Sequence, residues 1–246
     1  GVPTSGSVMI DGTASSTALS GSLLVTQLSA NTKAGFSIVQ YTGNGTGSGT
    51  VDHGLGRRPG FIIIKRRNAT DDWVVDFDYI GNNAFVLNNS NAVSGDSAWG
   101  THTDTVMNLV ASSGARNTNN ESHIMYSFAE IPGYSAIGRY RGTGDVGTRG
   151  SFVYTGFRPA FVIIKANSAG QFWAIYDSER YDGRNLINER LFPNSANASD
   201  ISGEIYFHAS GFKIQNGAEN LNGVDLSYFA IADQSAVYVN SGLINI

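Results

Sequence analysis

Cysteine is absent from the 246 residues of this chain. The protein therefore forms no disulfide, binds no metal through thiolates and uses no cysteine nucleophile. Charged residues are also scarce, at 15% of the chain with a formal net charge of -4, and the few lysines and arginines are scattered. Because the basic residues form no cluster in the sequence, we predict that nucleic acid is not a partner.

Long apolar runs are missing as well. No stretch approaches the roughly 18 to 20 apolar residues that a membrane-spanning helix needs. The N-terminal sequence "GVPTSGSVMIDGTASS" contains neither the basic region nor the apolar region of an export signal. We therefore expect a soluble chain without membrane insertion and without an export signal.

Turn-forming residues are abundant instead. The chain contains 30 glycines, accompanied by many serines, threonines and asparagines, and 41% of its residues are hydrophobic. This composition favours many short strands joined by turns.

The chain also repeats itself. "RPGFIIIKRRNATDDW" (58–73) returns as "RPAFVIIKANSAGQFW" (158–173), "GFSIVQYTGNGTGSG" (35–49) as "GYSAIGRYRGTGDVG" (133–147), and "IMYSFAEI" (124–131) as "DLSYFAIA" (225–232). The offset grows slowly along the chain, as small loop insertions between two copies would produce. We predict two repeats, residues 33–132 and 133–234, preceded by an N-terminal attachment or oligomerisation segment, 1–32, and followed by a C-terminal strand or tail, 235–246.

Each repeat has the size of one antiparallel β-sandwich. Short apolar or alternating runs bounded by turn residues predict six strands in the first copy: Phe36 to Tyr41, Phe61 to Lys65, Trp73 to Phe77, Ala84 to Leu87, Thr105 to Val110 and His123 to Glu130. The predicted fold is all-β, with two tandem jelly-roll-like antiparallel sandwiches.

Two features of the repeated strand refine this prediction. Phe61 to Ile64 is apolar at every position, which indicates a central strand covered on both faces, and 161–164 repeats the pattern. The polar residues that follow each run predict a β-hairpin. Trp73 and Trp173 then lie on the return strands, and their recurrence in both copies favours a packing role in the core.

Helical periodicity is confined to one place. Leu19, Leu23, Leu24 and Leu28 have near-helical spacing and follow serines and threonines that could cap a helix. We therefore expect a helix over 19–28.

Catalytic and metal-binding patterns are weak. The four histidines show no metal-ligand spacing, and no phosphate-binding loop or nucleophile motif is present. Asp71, Asp72, Asp76 and Asp78 cluster, but the positions of Asp71, Asp72 and Asp76 carry Gln171, Phe172 and Tyr176 in the second copy. A carboxylate pair for glycan hydrolysis or a calcium site there remains a weak alternative. We predict no enzyme, no cofactor, and no catalytic or metal-binding residue.

Aromatic residues that occur in only one copy, beside polar loops, are the better candidates for contact with another molecule. Trp99 and His102 lie in "SAWGTHTD", and Tyr181 and Arg184 lie in "RYDGRN". These four residues are the predicted surface-contact residues, although an ordinary half-buried aromatic explains them equally well.

The repeated motifs resemble a known family. "YTGNGT", "GLGRRPGFIIIKRR" and "LNNSNA" in the first copy, and "YTGFRPAFVIIK" and "ASGFKIQNGAENLNGVDLSYFAI" in the second, are similar to a repeat found in structural proteins of tailed bacteriophages. The resemblance covers nearly all of 33–234, and the opening "GVPTSG" also looks like the start of phage tail-associated proteins. The first copy departs from the family core at "GLGRRPG", so no individual residue role is transferred.

The resemblance implies a virion component, either a tail fibre or a receptor-binding protein that contacts the host surface. Its implied partners are other virion proteins, further copies of the chain, with a trimer favoured, and a host-surface glycan. The alternative is an architectural protein without a receptor, such as a capsid decoration, a head fibre or a protein at the periphery of the baseplate. A receptor-binding protein is expected to expose an aromatic concavity near Trp99 or Tyr181.

Overall fold

The structure is a computed structural model that describes residues 6–95, 99–110, 114–145, 149–168, 170–180, 186–199, 201, 203–220 and 222–233. The chain divides into two compact units: Gly1–Asn88 with Val93–Glu130, and Asn89–Ala92 with Ile131–Ile246. The predicted tail 235–246 lies outside the described residues. None of the helices in the described part of the chain has the length and apolar character that crossing a membrane requires.

The fold is all-β, as predicted. The strands of unit 1 are β1 Val8–Ile10, β2 Thr13–Ala14, β3 Leu24–Asn31, β4 Phe36–Thr42, β5 Gly49–Asp52, β6 Phe61–Arg66, β7 Val74–Phe77, β8 Phe85–Val86, β9 Val106–Leu109 and β10 Ser122–Phe128. The strands of unit 2 are β11 Ser135–Arg141, β12 Phe152–Tyr154, β13 Pro159–Ala166, β14 Ala174–Asp177, β15 Leu186–Ile187, β16 Glu204–His208, β17 Gly211–Asn216 and β18 Asp225–Ala232. Among the described residues, the helical elements include one four-residue helix, α1 (Gly114–Asn117), and short 3-10 turns at Asp78–Ile80 and Ala218–Asn220.

Unit 1 has one large sheet with the strand order β2-β1-β3-β4-β10-β6-β7-β8 and a small sheet in which β5 pairs with β9. Trp99 extends the small sheet through an antiparallel bridge to Leu109. One core lies between the sheets, because Val39, Ile64 and Met125 from the large sheet share a buried cluster with Val51 and Met107 from the small one. Unit 1 is therefore a sandwich.

Unit 2 has two four-stranded sheets, with the orders β11-β18-β13-β14 and β12-β17-β16-β15. Its own core joins Val162, Ile164 and Ala230 from the first sheet to Ile205 and Phe212 from the second. The first order repeats β4-β10-β6-β7 of unit 1 strand for strand, which agrees with the internal repeat in the sequence. The division at Glu130 and Ile131 lies two residues before the predicted repeat boundary.

The repeated apolar strand is central in both units. β6 lies between β10 and β7, and β13 lies between β18 and β14. Both form the predicted antiparallel hairpin with the strand that follows. Ile62 and Ile64 point into the core, whereas Phe61 on the other face is buried against Phe77, with ring centroids 4.8 Å apart. The continuous apolar run thus reflects burial on two faces.

The N-terminal segment differs from the prediction. Residues 24–31 form the strand β3, which pairs with β4, and Val8–Ile10 pairs in parallel with β3, so the described part of 1–32 belongs to the sheet of unit 1. The helix expected over 19–28 is wrong. Leu23 and Leu28 are buried while Leu24 is exposed, and this partial alternation fits a strand, whose pairing with β4 overrides the helical spacing of the leucines.

The two repeated tryptophans directly precede equivalent strands, β7 and β14. In both, the backbone N–H donates to an asparagine side chain, Asn88 Oδ1 for Trp73 at 2.9 Å and Asn194 Oδ1 for Trp173 at 3.1 Å. Trp173 is fully buried, which confirms its predicted packing role. Trp73 is 36% exposed and lies 6.5 Å from the ring of Tyr126, so the core role predicted for it is wrong.

The "YTGNG" motif, residues 41–45, connects the end of β4 to α1 through hydrogen bonds. The hydroxyl of Tyr41 donates to the carbonyl of Arg116 at 2.5 Å. Asn44 and Asn117 bond reciprocally, since the Asn44 N–H donates to Asn117 Oδ1 and Asn117 Nδ2 donates to Asn44 Oδ1, both at 2.9 Å. Gly43 passes so close to Thr118 that a Cβ would lie 2.3 Å from its carbonyl oxygen. The motif therefore has a structural explanation.

Candidate functional site: a groove beside Asp52

A groove of about 370 Å³ opens on unit 1. Three stretches of chain form it, namely β1 with the segment that follows it, the loop after β5, and the loop before β9. The lining residues are Val8, Ile10, Ser15, Thr17, Ala18, Leu19, Ser20, Asp52, Gly54, Gly56, Asp104 and Thr105. Its volume lies within the range of about 300–1,000 Å³ that is usual for small-ligand sites.

Hydrogen bonds to β5 fix the wall of the groove contributed by the segment 15–23. The Leu23 N–H donates to the Thr50 carbonyl at 3.0 Å. Ser22 and Thr50 exchange two further bonds, at 2.8 and 2.9 Å, between the N–H of each residue and the hydroxyl of the other. The segment thus continues the small sheet by irregular pairing along the edge of β5.

Asp52 is the most buried polar residue of the groove, with 8% of its surface exposed. Its Oδ2 accepts the N–H of Ser20 at 2.8 Å, and its Oδ1 accepts the N–H of Gly54 at 2.9 Å. Through these two bonds one carboxylate joins the segment 15–20 to the loop after β5. Each oxygen can accept a further hydrogen bond.

Asp104 lies on the exposed rim. Its Oδ1 accepts the Arg58 N–H at 3.0 Å, which holds the loop before β9 against the loop after β5. The lining includes two carboxylates and no lysine or arginine, so the charged side chains that line the groove are all acidic.

The floor is aliphatic and close-packed. A Cβ at Gly54 would lie 2.8 Å from Leu28 Cδ2 and 2.9 Å from Ile10 Cδ1, and Gly54 has a φ of +68°, so glycine is required there on both counts. Val8, Ile10 and Leu19 supply apolar surface between the polar rims.

The sequence did not reveal this groove. Asp52 ends β5 and Asp104 lies in the loop before β9, neither belongs to a chemical motif, and the segment 15–20 shows only serine and threonine enrichment. The groove depends on residues 8–20, which precede the repeat, so the repeat could not identify it.

Trp99 and His102, two of the predicted surface-contact residues, lie inside unit 1. They are 1% and 2% exposed, and their rings meet edge to face at 5.9 Å. The Arg116 guanidinium lies over the Trp99 ring, 5.2 Å from its centroid. The prediction that Trp99 and His102 contact another molecule is therefore wrong, because both side chains are buried inside unit 1.

His102 instead ties the two sheets together. Its Nε2 donates to Asp76 Oδ2 on β7 at 2.7 Å, and its Nδ1 accepts the N–H of Asn108 on β9 at 3.2 Å. Burial raises the pKa of Asp76 to about 6, against the opposing effect of His102. An Asp–His pair could serve general-base catalysis, but with both side chains 1% exposed it is closed to substrate.

The corresponding place in unit 2 has different chemistry. Tyr176 stands where Asp76 stands in unit 1, and beside it Arg190 Nη1 donates to both carboxylate oxygens of Glu219, at 2.7 and 2.9 Å. Burial raises the pKa of both Glu219 and Tyr176. Both units therefore bury a polar cluster near β7 or its equivalent, and each cluster is structural.

The remaining sequence candidates do not gather into a site. Asp71 pairs with Arg66 at 2.9 Å and Asp78 with Arg58 at 2.6 Å. Within the described ranges, no group of three or more histidine, aspartate or glutamate side chains could hold a metal ion. Tyr181 and Arg184 lie outside the described residues.

Comparison with known proteins gives a family but no activity. No match was found among curated protein sequences. One solved structure, the crystal structure of a conserved protein of unknown function from Pseudomonas aeruginosa PAO1, matches over 87% of this chain and 84% of that one. The two sequences are 12% identical and the TM-score is 0.19, which is too low to indicate a shared fold. A family model described as a domain of unknown function, DUF7483, matches residues 9–235, so the chain belongs to that family.

Proposed function

We propose that this chain is a structural component of a phage virion, of the tail-fibre or receptor-binding type, that contacts the host surface without catalysing a reaction. The observation that carries the proposal is the repeated sandwich, in which one strand order and one tyrosine hydroxyl bond, made by Tyr41 and by Tyr140, occur twice. The motifs that resemble the phage repeat are the same residues that build these shared elements.

The buried polar residues support a structural role. The Asp76–His102 pair and the Arg190–Glu219 pair are both buried and hydrogen-bonded inside their units. Polar groups of this kind hold sheets together and fix one packing arrangement. The groove beside Asp52 is an open concavity with mainly apolar lining and a few polar groups, as a binding module requires.

Duplication also suits attachment. Weak contacts multiply through avidity when several copies of a chain are held together, and the resemblance implies a closed trimer. The architectural alternative retains the sandwiches but has no receptor. It is favoured by the burial of Trp99 and His102, which removes one of the aromatic contact regions expected of a receptor-binding protein.

The test is to locate the chain in particles of the phage that encodes it, by electron cryo-microscopy with an antibody against this chain. We expect the chain on the tail exterior with the groove facing outward. Its absence from purified particles would overturn the proposal. A position on the capsid or baseplate with the groove covered by another virion protein would replace receptor contact by the architectural alternative.

A further inference from the structure

We propose that the groove beside Asp52 binds a neutral sugar residue of a cell-surface glycan. This inference rests on the proposed host-contact function and gives it a site and a ligand class. The starting observation is that a groove of about 370 Å³ combines buried and exposed hydrogen-bond acceptors with an aliphatic floor.

The acceptors match sugar hydroxyl groups. Asp52 and Asp104 each accept backbone N–H bonds and keep lone pairs for further donors. Hydrogen bonds from a hydroxyl to a carboxylate are stronger than those between neutral groups. Ser15, Thr17 and Thr105 add hydroxyls that both donate and accept.

The floor matches the other face of a sugar ring. Val8, Ile10 and Leu19 offer aliphatic surface at the base of the groove, where the C–H groups of a pyranose can pack. Because the N–H groups of Ser20 and Gly54 both donate to the Asp52 carboxylate, its position is fixed before a ligand arrives. Such preorganisation reduces the entropy lost on binding.

Charge selects among glycans. The lining contains two carboxylates and no basic side chain, so acidic sugars and phosphorylated glycans are repelled. The Arg58 side chain is directed to Asp78, at 2.6 Å, and so already has a carboxylate partner. Neutral hexoses, deoxyhexoses and N-acetylated sugars are then the proposed ligands, and cationic amino sugars are the competing class, which a glucosamine probe tests.

In the part of the chain that the structure describes, the groove belongs to unit 1. Its walls include residues 8–20, which precede the first repeat and have no counterpart before β11 in unit 2. The first repeat therefore supplies the carboxylates of Asp52 and Asp104, and the preceding segment completes the groove around them.

The test is saturation-transfer NMR on the full chain with free glucose, galactose, rhamnose and N-acetylglucosamine, and with glucuronic acid and glucosamine as charged probes. We expect transfer to at least one neutral sugar and none to glucuronic acid. Asp104→Asn should weaken binding of that sugar about tenfold, because one charge-assisted acceptor is lost. Ala18→Trp, at an exposed position on the groove wall, should abolish it.

Asp145→Asn is the matched control, since it removes one exposed carboxylate from unit 2, and it should leave binding unchanged. The inference is overturned if no neutral sugar in the panel shows transfer, if glucosamine alone binds, or if Ala18→Trp and Asp104→Asn bind like the parent. The two proposals fail separately. A chain on the tail that binds no sugar overturns only the groove assignment, and a sugar-binding chain missing from particles overturns only the virion function.

Discussion

Tyr41 and Tyr140 occupy the same place in the two units and make the same bond. The Tyr41 hydroxyl donates to the carbonyl of Arg116 at 2.5 Å, and the Tyr140 hydroxyl donates to the carbonyl of Glu219 at 2.5 Å. In each unit the acceptor belongs to a short helical turn that leads towards the last strand of the repeat. Burial raises the pKa of both phenols well above the usual value, so both stay protonated and remain donors.

Removing either hydroxyl should destabilise the protein. Tyr41→Phe and Tyr140→Phe each leave a carbonyl without this donor, at a cost of about 1–2 kcal/mol in the free energy of unfolding. Urea denaturation followed by circular dichroism measures the change. Tyr154→Phe, at a residue that is 70% exposed, is the control and should change the stability little. If Tyr41→Phe and Tyr140→Phe were as stable as Tyr154→Phe, the two tyrosine hydroxyl bonds would not stabilise the units.

The close approach of Gly43 to Thr118 makes a second prediction. In Gly43→Ala the new Cβ would lie 2.3 Å from a backbone oxygen, so the loop or α1 must move, and we expect a loss of about 2 kcal/mol or more. Gly47→Ala in the same loop is the matched control, because its nearest neighbour would be the Val110 carbonyl oxygen at 3.5 Å. Thermal unfolding of both variants measures the difference. If Gly43→Ala and Gly47→Ala unfold at the same temperature, the close approach of Gly43 to Thr118 does not matter for stability.

Sequence patterns predicted the strands well in the regions that the internal repeat covers. All six strands predicted in the first copy are present, with ends that shift by a few residues, and the central position of β6 follows from its continuous apolar run. The segment 19–28 was mispredicted because its leucines have helical spacing, while the partner that makes it a strand, β4, lies outside the local window.

The site was much less predictable. Trp99 sits in a polar loop, yet its bridge to Leu109 and the cation beside its ring place it inside the sandwich. Asp52 was not predicted as a site residue, although it lines the groove. It belongs to no motif, and only the folded chain brings Ser20, 32 residues away, to its carboxylate. Contacts of that range depend on tertiary packing, which residue periodicity does not encode.

The pair formed by Asp76 and His102 predicts a change of stability with pH. The folded-state pKa of Asp76, about 6, lies above its ordinary value of 3.8, so between these values the folded chain binds the proton more tightly than the unfolded chain. The contribution of this group to stability is therefore fully present below about pH 4 and is lost as pH rises through about 6. The contribution amounts to up to about 3 kcal/mol.

Asp76→Asn isolates this effect, since the amide oxygen can still accept the proton on His102 Nε2. Relative to the parent chain, the variant should gain stability as pH rises from 4 to about 7, while the other carboxylates cancel in the difference. Urea titrations at several pH values measure it. Asp72→Asn, at an exposed residue that accepts a bond from Asn88 at 2.9 Å, is the control and should follow the parent. A pH-independent difference between Asp76→Asn and the parent would contradict the pKa assigned to Asp76.

The unequal burial of the three tryptophans predicts their response to a fluorescence quencher. Trp73 is 36% exposed, whereas Trp99 and Trp173 are 1% and 0% exposed. Acrylamide should therefore quench only part of the native emission, and Trp73→Phe should remove that part while changing stability by less than about 1 kcal/mol. Trp173→Phe should retain the quenchable fraction but lower the free energy of unfolding by about 1–3 kcal/mol, because it leaves space in a packed interior. If Trp73→Phe left quenching unchanged, the exposed indole would have to be another one, and the difference in burial between the two repeated tryptophans would be wrong.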